Sequence, residues 1–313
     1  MFLLVNIGKM VVMDMCGIGG VWCLGERDLG KDDARKLRDL AIYLETRGDD
    51  AFGFYNGENV IKFPSSATDV IRMIDRIKPF EELVIGRNMF LMHTRAFTEG
   101  DPLKNKNNHP FELKDIVFAH NGIMYYHVKY KDIRFKEKTD SKFIDYIDTY
   151  EILGRIEIDL PETDSFEIGV EIQREYNKSG DFATALSEAF GFLVYYGDMA
   201  VWVYSKREDL LALFRNNKPL YIGFDNEKLW FASEEWMLKK IGIKSIRALR
   251  QGELIIYSRI RQEHFEIIDE GYSYKKDRGF FLEKEDIEEL EREEREYWKL
   301  YRDYGCSYWD LYY

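Results

Sequence analysis

Stretches of alternating apolar and polar residues, and runs crowded with β-branched and aromatic side chains, recur along the chain. They predict strands over Gly17 to Leu24, Asn88 to Thr94, Ile116 to His120, Phe192 to Tyr204, Leu220 to Phe224, Lys228 to Ala232 and Leu254 to Tyr257. A second period, with apolar positions three and four apart, predicts helices over Asp32 to Thr46, Thr68 to Ile77, Ser141 to Tyr150 and Phe182 to Phe190. In the first of these, Ala34, Leu37, Ala41 and Leu44 share one face. Within YIGFDNEKLWFAS, Asp225 and Asn226 separate two strand-like runs and tolerate the backbone angles of a tight hairpin. Several neighbouring runs read as hairpins, and the elements do not alternate as regular βαβ units. An α+β fold on antiparallel sheets follows.

The pattern changes near Tyr272. Glu283 to Glu296 carries nine acidic residues against three basic ones, and an aromatic-rich end follows. A domain boundary is placed there, so that 272–313 form an acidic, aromatic-rich helical tail. Such a tail reads first as a solvated helix face; its residues Ile287, Leu290, Tyr297, Tyr301, Tyr304, Tyr308 and Leu311 fit steps of three and four, with Glu294 the misfit and a kink at Gly305, which makes a docking helix the alternative. The 313 residues suffice for one large core, and a formal charge of -12 argues against a nucleic-acid partner. The apolar opening MFLLVNIGKMVVMDM is interrupted by Lys9 and Asp14, and no run is long enough for a membrane span. Cys16, Cys23 and Cys306 cannot all pair and lack zinc-site spacing, which points to a reducing, cytoplasmic setting with no metal and no cofactor.

Chemistry concentrates in five stretches: MCGIGG from Met15, RGDDAFG from Arg47, HTRAFTEG from His93, AHNG from Ala119 and TDSK from Thr139. Each is ordinary by itself. Cys16 reads as a small buried hydrophobe, HNG as a tight-turn signal, and His93 and His120 as satisfied core histidines. In this order and at these separations, however, they resemble the class II glutamine amidotransferases. These are the N-terminal-nucleophile (Ntn) glutaminase domains of hexosamine-6-phosphate synthase, asparagine synthetase and the first purine-pathway amidotransferase. The resemblance covers roughly Cys16 to Gln251, with further similar stretches at NNHPF (Asn107 to Phe111), PLYIG (Pro219 to Gly223), FASE (Phe231 to Glu234) and QGE (Gln251 to Glu253).

The resemblance implies a four-layer αββα sandwich with two antiparallel sheets at its centre, over 16–271. It implies that Cys16 supplies a thiol nucleophile, with its own α-amine as base, attacking L-glutamine to form a glutamyl-thioester and release ammonia. By the same analogy Asn121 and the Gly122 N–H receive the developing oxyanion. Arg95 suits the substrate's α-carboxylate and Asp140 its α-ammonium group. Thr98 and His120 belong to the substrate-binding set, and Arg47, at a helix end, braces the site from behind.

Two departures stand out. Fifteen residues precede Cys16, and an acylated α-nitrogen is no base, so 1–15 are expected to be a propeptide or an upstream extension beyond initiation at Met15. Ala96, Phe97, Glu99 and Lys142 also differ from the sugar-phosphate members, which points away from hexosamine synthesis. The length left over holds no synthase domain, so the expected role is a glutaminase feeding ammonia to a separate synthase chain. Hydrolysis of another γ-glutamyl amide and a non-catalytic, glutamine-binding scaffold are the alternatives.

Overall fold

A computed structural model describes residues 16–97, 100–124, 161, 163–194, 197–258 and 264–266. The expected extension 1–15, the predicted helix Ser141 to Tyr150 and the tail 272–313 lie outside these residues. In chain order the strands are β1 (Gly17–Cys23), β2 (Ala51–Tyr55), β3 (Val60–Phe63), β4 (Met89–Arg95), β5 (Phe111–Glu112), β6 (Ile116–Met124) and β7 (Gly197–Ser205). They continue with β8 (Leu210–Asn216), β9 (Tyr221–Asp225), β10 (Lys228–Ala232), β11 (Ser245–Ala248), β12 (Leu254–Ser258) and β13 (His264–Glu266). The helices are α1 (Lys31–Leu44), α2 (Ala67–Asp75), α3 (Asp164–Ser179), α4 (Phe182–Leu193) and α5 (Glu235–Lys240).

The strands form two antiparallel sheets, ordered β11-β9-β10-β1-β4-β2-β3 and β13-β12-β8-β7-β6-β5. Period-two alternation sorts their side chains into layers. On β1, Val21 and Cys23 pack against α1, α2 and α5, while Ile18 and Trp22 point into the space between the sheets. On β6, Phe118 packs under α3 and α4, whereas Val117 and Ala119 meet Trp22 and Trp202 between the sheets. Helices, sheet, sheet and helices thus stack as four layers with three buried apolar seams. Burial at this scale is what holds the sandwich together. Gly169 lets α3 lie close on the second sheet, because a Cβ there would run into the Phe118 ring.

Most predicted elements are present, with informative differences. The run Phe192 to Tyr204 divides: Phe192 and Leu193 finish α4 and the strand starts at Gly197. Continuous apolarity hid the change from helix to strand. The β9–β10 hairpin turns on Asn226 and Glu227, both at positive φ, one residue beyond the expected pair. AHNG is not a turn: His120, Asn121 and Gly122 sit inside β6, paired along β7. Among the strands that alternation did not predict, β2 is buried at every position.

Candidate active site

Cys16 immediately precedes β1, and the β1–β4 register pairs Gly17 with Thr94, bringing Cys16 beside the end of β4 that carries Arg95. Three contacts fix this corner. Arg47, in a 3₁₀ turn after α1, donates Nε–H to the Cys16 carbonyl at 2.9 Å and pairs through Nη1 with Glu234 at the start of α5. One residue beyond Gly17, the Ser233 hydroxyl accepts from the Ile18 N–H at 2.9 Å. The Cys16 thiol itself lies 3.6 Å from the Ala96 carbonyl. Burial pushes the thiol pKa up; the Ala96 backbone and the charges of Arg95 and Arg47 pull it down, and Asp164 pushes it up again. Burial prevails, so the resting sulfur is a thiol and requires a base.

Arg95 is buried, at the mouth of the layer between the sheets. Its Nη1 donates to Asn108 Oδ1 at 2.7 Å and its Nη2 to the Gly100 carbonyl at 2.8 Å. The Arg95 carbonyl accepts from the Asp50 N–H at 3.0 Å, and the Asp50 carboxylate accepts from Phe97 N–H at 2.6 Å, tying RGDDAFG to HTRAF.

From the second sheet, β6 brings His120, Asn121 and Gly122, and β1 contacts β6 directly across the middle layer. Asn121 has the same strand parity as Val117 and Ala119, on the inter-sheet face. It is 1% exposed, and its Nδ2 has no hydrogen-bond partner among the described residues. A buried amide donor without an acceptor costs roughly 1–3 kcal/mol, a cost that a functional acceptor would relieve. Gly122 has φ +152, where a Cβ would collide with the Asp198 carbonyl oxygen. On the helix face of β6, His120 Nδ1 lies 2.9 Å from the Ser165 hydroxyl.

Asp164, the first residue of α3, was not among the sequence candidates. Its Oδ2 accepts from the Met124 N–H at 2.9 Å, and its Oδ1 from the Ser165 N–H at 2.7 Å and hydroxyl at 3.2 Å. Three of the roughly four lone-pair positions of a carboxylate are thus used. Its charge acts on Cys16, Arg95 and His120 together. The signal that could have found it is a second Thr-Asp-Ser, Thr163 to Ser165, repeating Thr139 to Ser141. Asp140 and Thr98 lie outside the described residues, while Cys16, Arg47, Arg95, His120, Asn121 and Gly122 converge on one end of the sandwich.

Three histidines lie behind the site. His93 donates Nε2–H to the His120 carbonyl at 3.1 Å, and its ring stacks on His109 with centroids 4.0 Å apart. Burial pushes His93 down to about 3, His109 well below its ordinary value, and His120 down as well, so all three are neutral at pH 7. Among the described residues no group of three or more His, Cys, Asp or Glu could hold a metal ion, and no helix is long and apolar enough to cross a membrane.

The family model for class-II glutamine amidotransferases matches residues 51–210, and the chain belongs to that family. Its curated relatives include the isomerizing glutamine–fructose-6-phosphate aminotransferase of Thermococcus kodakarensis, 28% identical over 70% of this chain and 32% of the relative. The corresponding protein of Haemophilus ducreyi is 30% identical over 44% of this chain and 22% of its own length. The matched region therefore spans about a third or less of these relatives. Among solved structures, the glutamine phosphoribosylpyrophosphate amidotransferase from B. subtilis, complexed with ADP and GMP, superposes with a TM-score of 0.55 at 18% identity. That match covers 80% of this chain and 49% of the other, and it shows that the two share a fold.

Proposed function

We propose that this chain hydrolyses L-glutamine to glutamate and ammonia, with Cys16 as the nucleophile. The observation that carries the reading is the Asn121 Nδ2, without a hydrogen-bond partner among the described residues and buried beside Gly122 across the layer from the Cys16 corner. A carboxamide oxygen turning into an oxyanion is an acceptor that suits this donor. Arg95 holds the substrate α-carboxylate. Asp164, whose partners among the described residues leave one lone pair, receives the α-ammonium group, the role expected of Asp140, which lies outside the described residues.

Catalysis then proceeds as a balanced acyl transfer. The Cys16 α-amine takes the thiol proton as sulfur bonds to the amide carbon, and the displaced electron pair rests on the oxygen facing Asn121 and the Gly122 N–H. Collapse breaks the C–N bond, and the proton passes to the departing ammonia. Water, deprotonated by the same amine, hydrolyses the thioester to glutamate and restores the thiol. Arg47, by gripping the Cys16 carbonyl, orients both sulfur and amine, and His120 supports β6 through Ser165.

This scheme requires a free amino group on Cys16, hence removal of 1–15 or initiation at Met15 followed by methionine removal. The domain then occupies 16–271, and 272–313 form a tail for contact with an ammonia-accepting synthase chain. Ammonia release from L-glutamine, compared between the wild type and Cys16→Ala after intact-mass confirmation of the N-terminus, tests the reading. Release confined to the wild type is expected; equal release from both proteins, or full activity in a chain still carrying Met1, overturns it.

A further inference from the structure

We infer that Asn108, in the NNHPF stretch, is a positioning residue that sets Arg95 for recognition of the α-carboxylate. The inference rests on the proposed reading of Arg95 and extends it to a residue outside the catalytic set.

Asn108 is 1% exposed and sits between the loop after β4 and the guanidinium. Its Oδ1 accepts from Arg95 Nη1 at 2.7 Å, while its Nδ2 donates to the Pro102 carbonyl at 2.7 Å and to Asn105 Oδ1 at 3.3 Å. The partners fix the amide orientation, because a guanidinium only donates and a carbonyl only accepts. Loop residues 100–108 therefore hold Arg95 twice, once through the Gly100 carbonyl and once through this amide. Arginine recognises a carboxylate bidentately only when its planar fork is correctly turned. Asn108 sets that rotation with a neutral acceptor, which leaves the positive charge available to the ligand. An aspartate at 108 would orient the fork equally well but partly neutralise it.

Two ligands separate this role from a general contribution to folding: L-glutamine, and 4-aminobutanamide, which keeps the amide and the ammonium group but lacks the carboxylate. Both are titrated by NMR into the purified full chain, with thermal melting as a control. Asn108→Ala is expected to weaken L-glutamine binding by about tenfold to a hundredfold, the range for a hydrogen bond to a charged group. Affinity for 4-aminobutanamide stays unchanged, and in an Arg95→Ala background Asn108→Ala weakens neither ligand further. Should Asn108→Ala fail to fold, Asn108→Asp decides, with L-glutamine weakened and 4-aminobutanamide spared. Equal weakening of both ligands, or a full additional loss in the Arg95→Ala background, overturns the inference. A wild-type chain that does not bind L-glutamine overturns the underlying reading of the site, and this inference with it.

Discussion

The Cys16 thiol is shaped by opposing influences. Burial and Asp164 raise its pKa, and Arg95 and Arg47 lower it. The pH profile of Cys16 alkylation by iodoacetamide should therefore have its midpoint above the ordinary cysteine value of about 8.5. Arg95→Ala should shift that midpoint further up and Asp164→Asn should shift it down; opposite shifts would contradict the site's electrostatics. Asn121→Ala should lower kcat for glutamine by roughly 10²–10³ with little change in KM, because in the proposed mechanism its amide serves the oxyanion more than the ground state. Residues with a distinctive local signature were legible in the sequence: Cys16 after methionine, Arg95 in HTRAF, Asn121 and Gly122 in AHNG. Asp164 was not, since the same Thr-Asp-Ser stands at Thr139 to Ser141 and nothing local in the sequence sets the second copy apart. Asn108 was legible only as part of a family-like stretch; its bond to Arg95 emerges from the loop's path.

Among the elements, the amphipathic helices announced themselves most clearly. The periods of α1 and α2 predicted both helices to within a few residues, and runs rich in apolar, β-branched and aromatic residues did the same for β1, β4 and β10, although β1 and β4 are buried on both faces. Helix α3 escaped because its buried face includes Ser165, Gly169 and Gln173, which dilute the apolar period. Gln173 is satisfied by Asp115, donating to Oδ2 at 2.8 Å and accepting from its N–H at 2.9 Å. Strand β8 and strand β2 are too uniformly apolar to show alternation. The α1–α2 pair is joined by Arg38, which donates to the Asp75 carboxylate at 2.7 and 2.8 Å and to Glu81 at 2.8 and 2.9 Å. The bond from Arg38 holds Asp75 down at about 2. A depressed carboxylate stabilises the fold above its unfolded pKa, about 3.9, and that contribution is lost as pH falls toward 2. Urea unfolding should accordingly show a shallower loss of stability between pH 4 and pH 2 in Arg38→Ala than in the wild type; identical slopes would remove the pair from the account.

At the scale of the whole molecule, the layer between the sheets holds apolar packing along most of its length and polar chemistry at one end. The neutral histidines His93, His109 and His120 are part of the same layered design, buried where protonation is disfavoured. An unfolded histidine titrates near 6.5, so below that pH the unfolded chain takes up protons that the fold refuses. Stability should thus decline as pH falls below about 6.5, for His93 by as much as about 1.4 kcal/mol per pH unit down to about 3, with His109 and His120 adding in the same direction. Neither ring nitrogen of His109 has a hydrogen-bond partner among the described residues. His109→Phe, which keeps an aromatic ring beside His93, should raise the melting temperature, and raise it more at pH 5 than at pH 8; a uniform loss at both pH values would show that the nitrogens are satisfied. The two-sheet architecture was legible from hairpin signals and the family-like stretches, whereas the meeting of β1, β4 and β6 at one end depends on register, which no local pattern encodes. The most direct test of that meeting is rapid-quench mass spectrometry of the Cys16-containing peptide while L-glutamine is being hydrolysed. A transient glutamyl group is expected on that peptide and not in Cys16→Ala; turnover with the peptide unmodified throughout, or with the glutamyl group on another residue, would contradict Cys16 as the nucleophile.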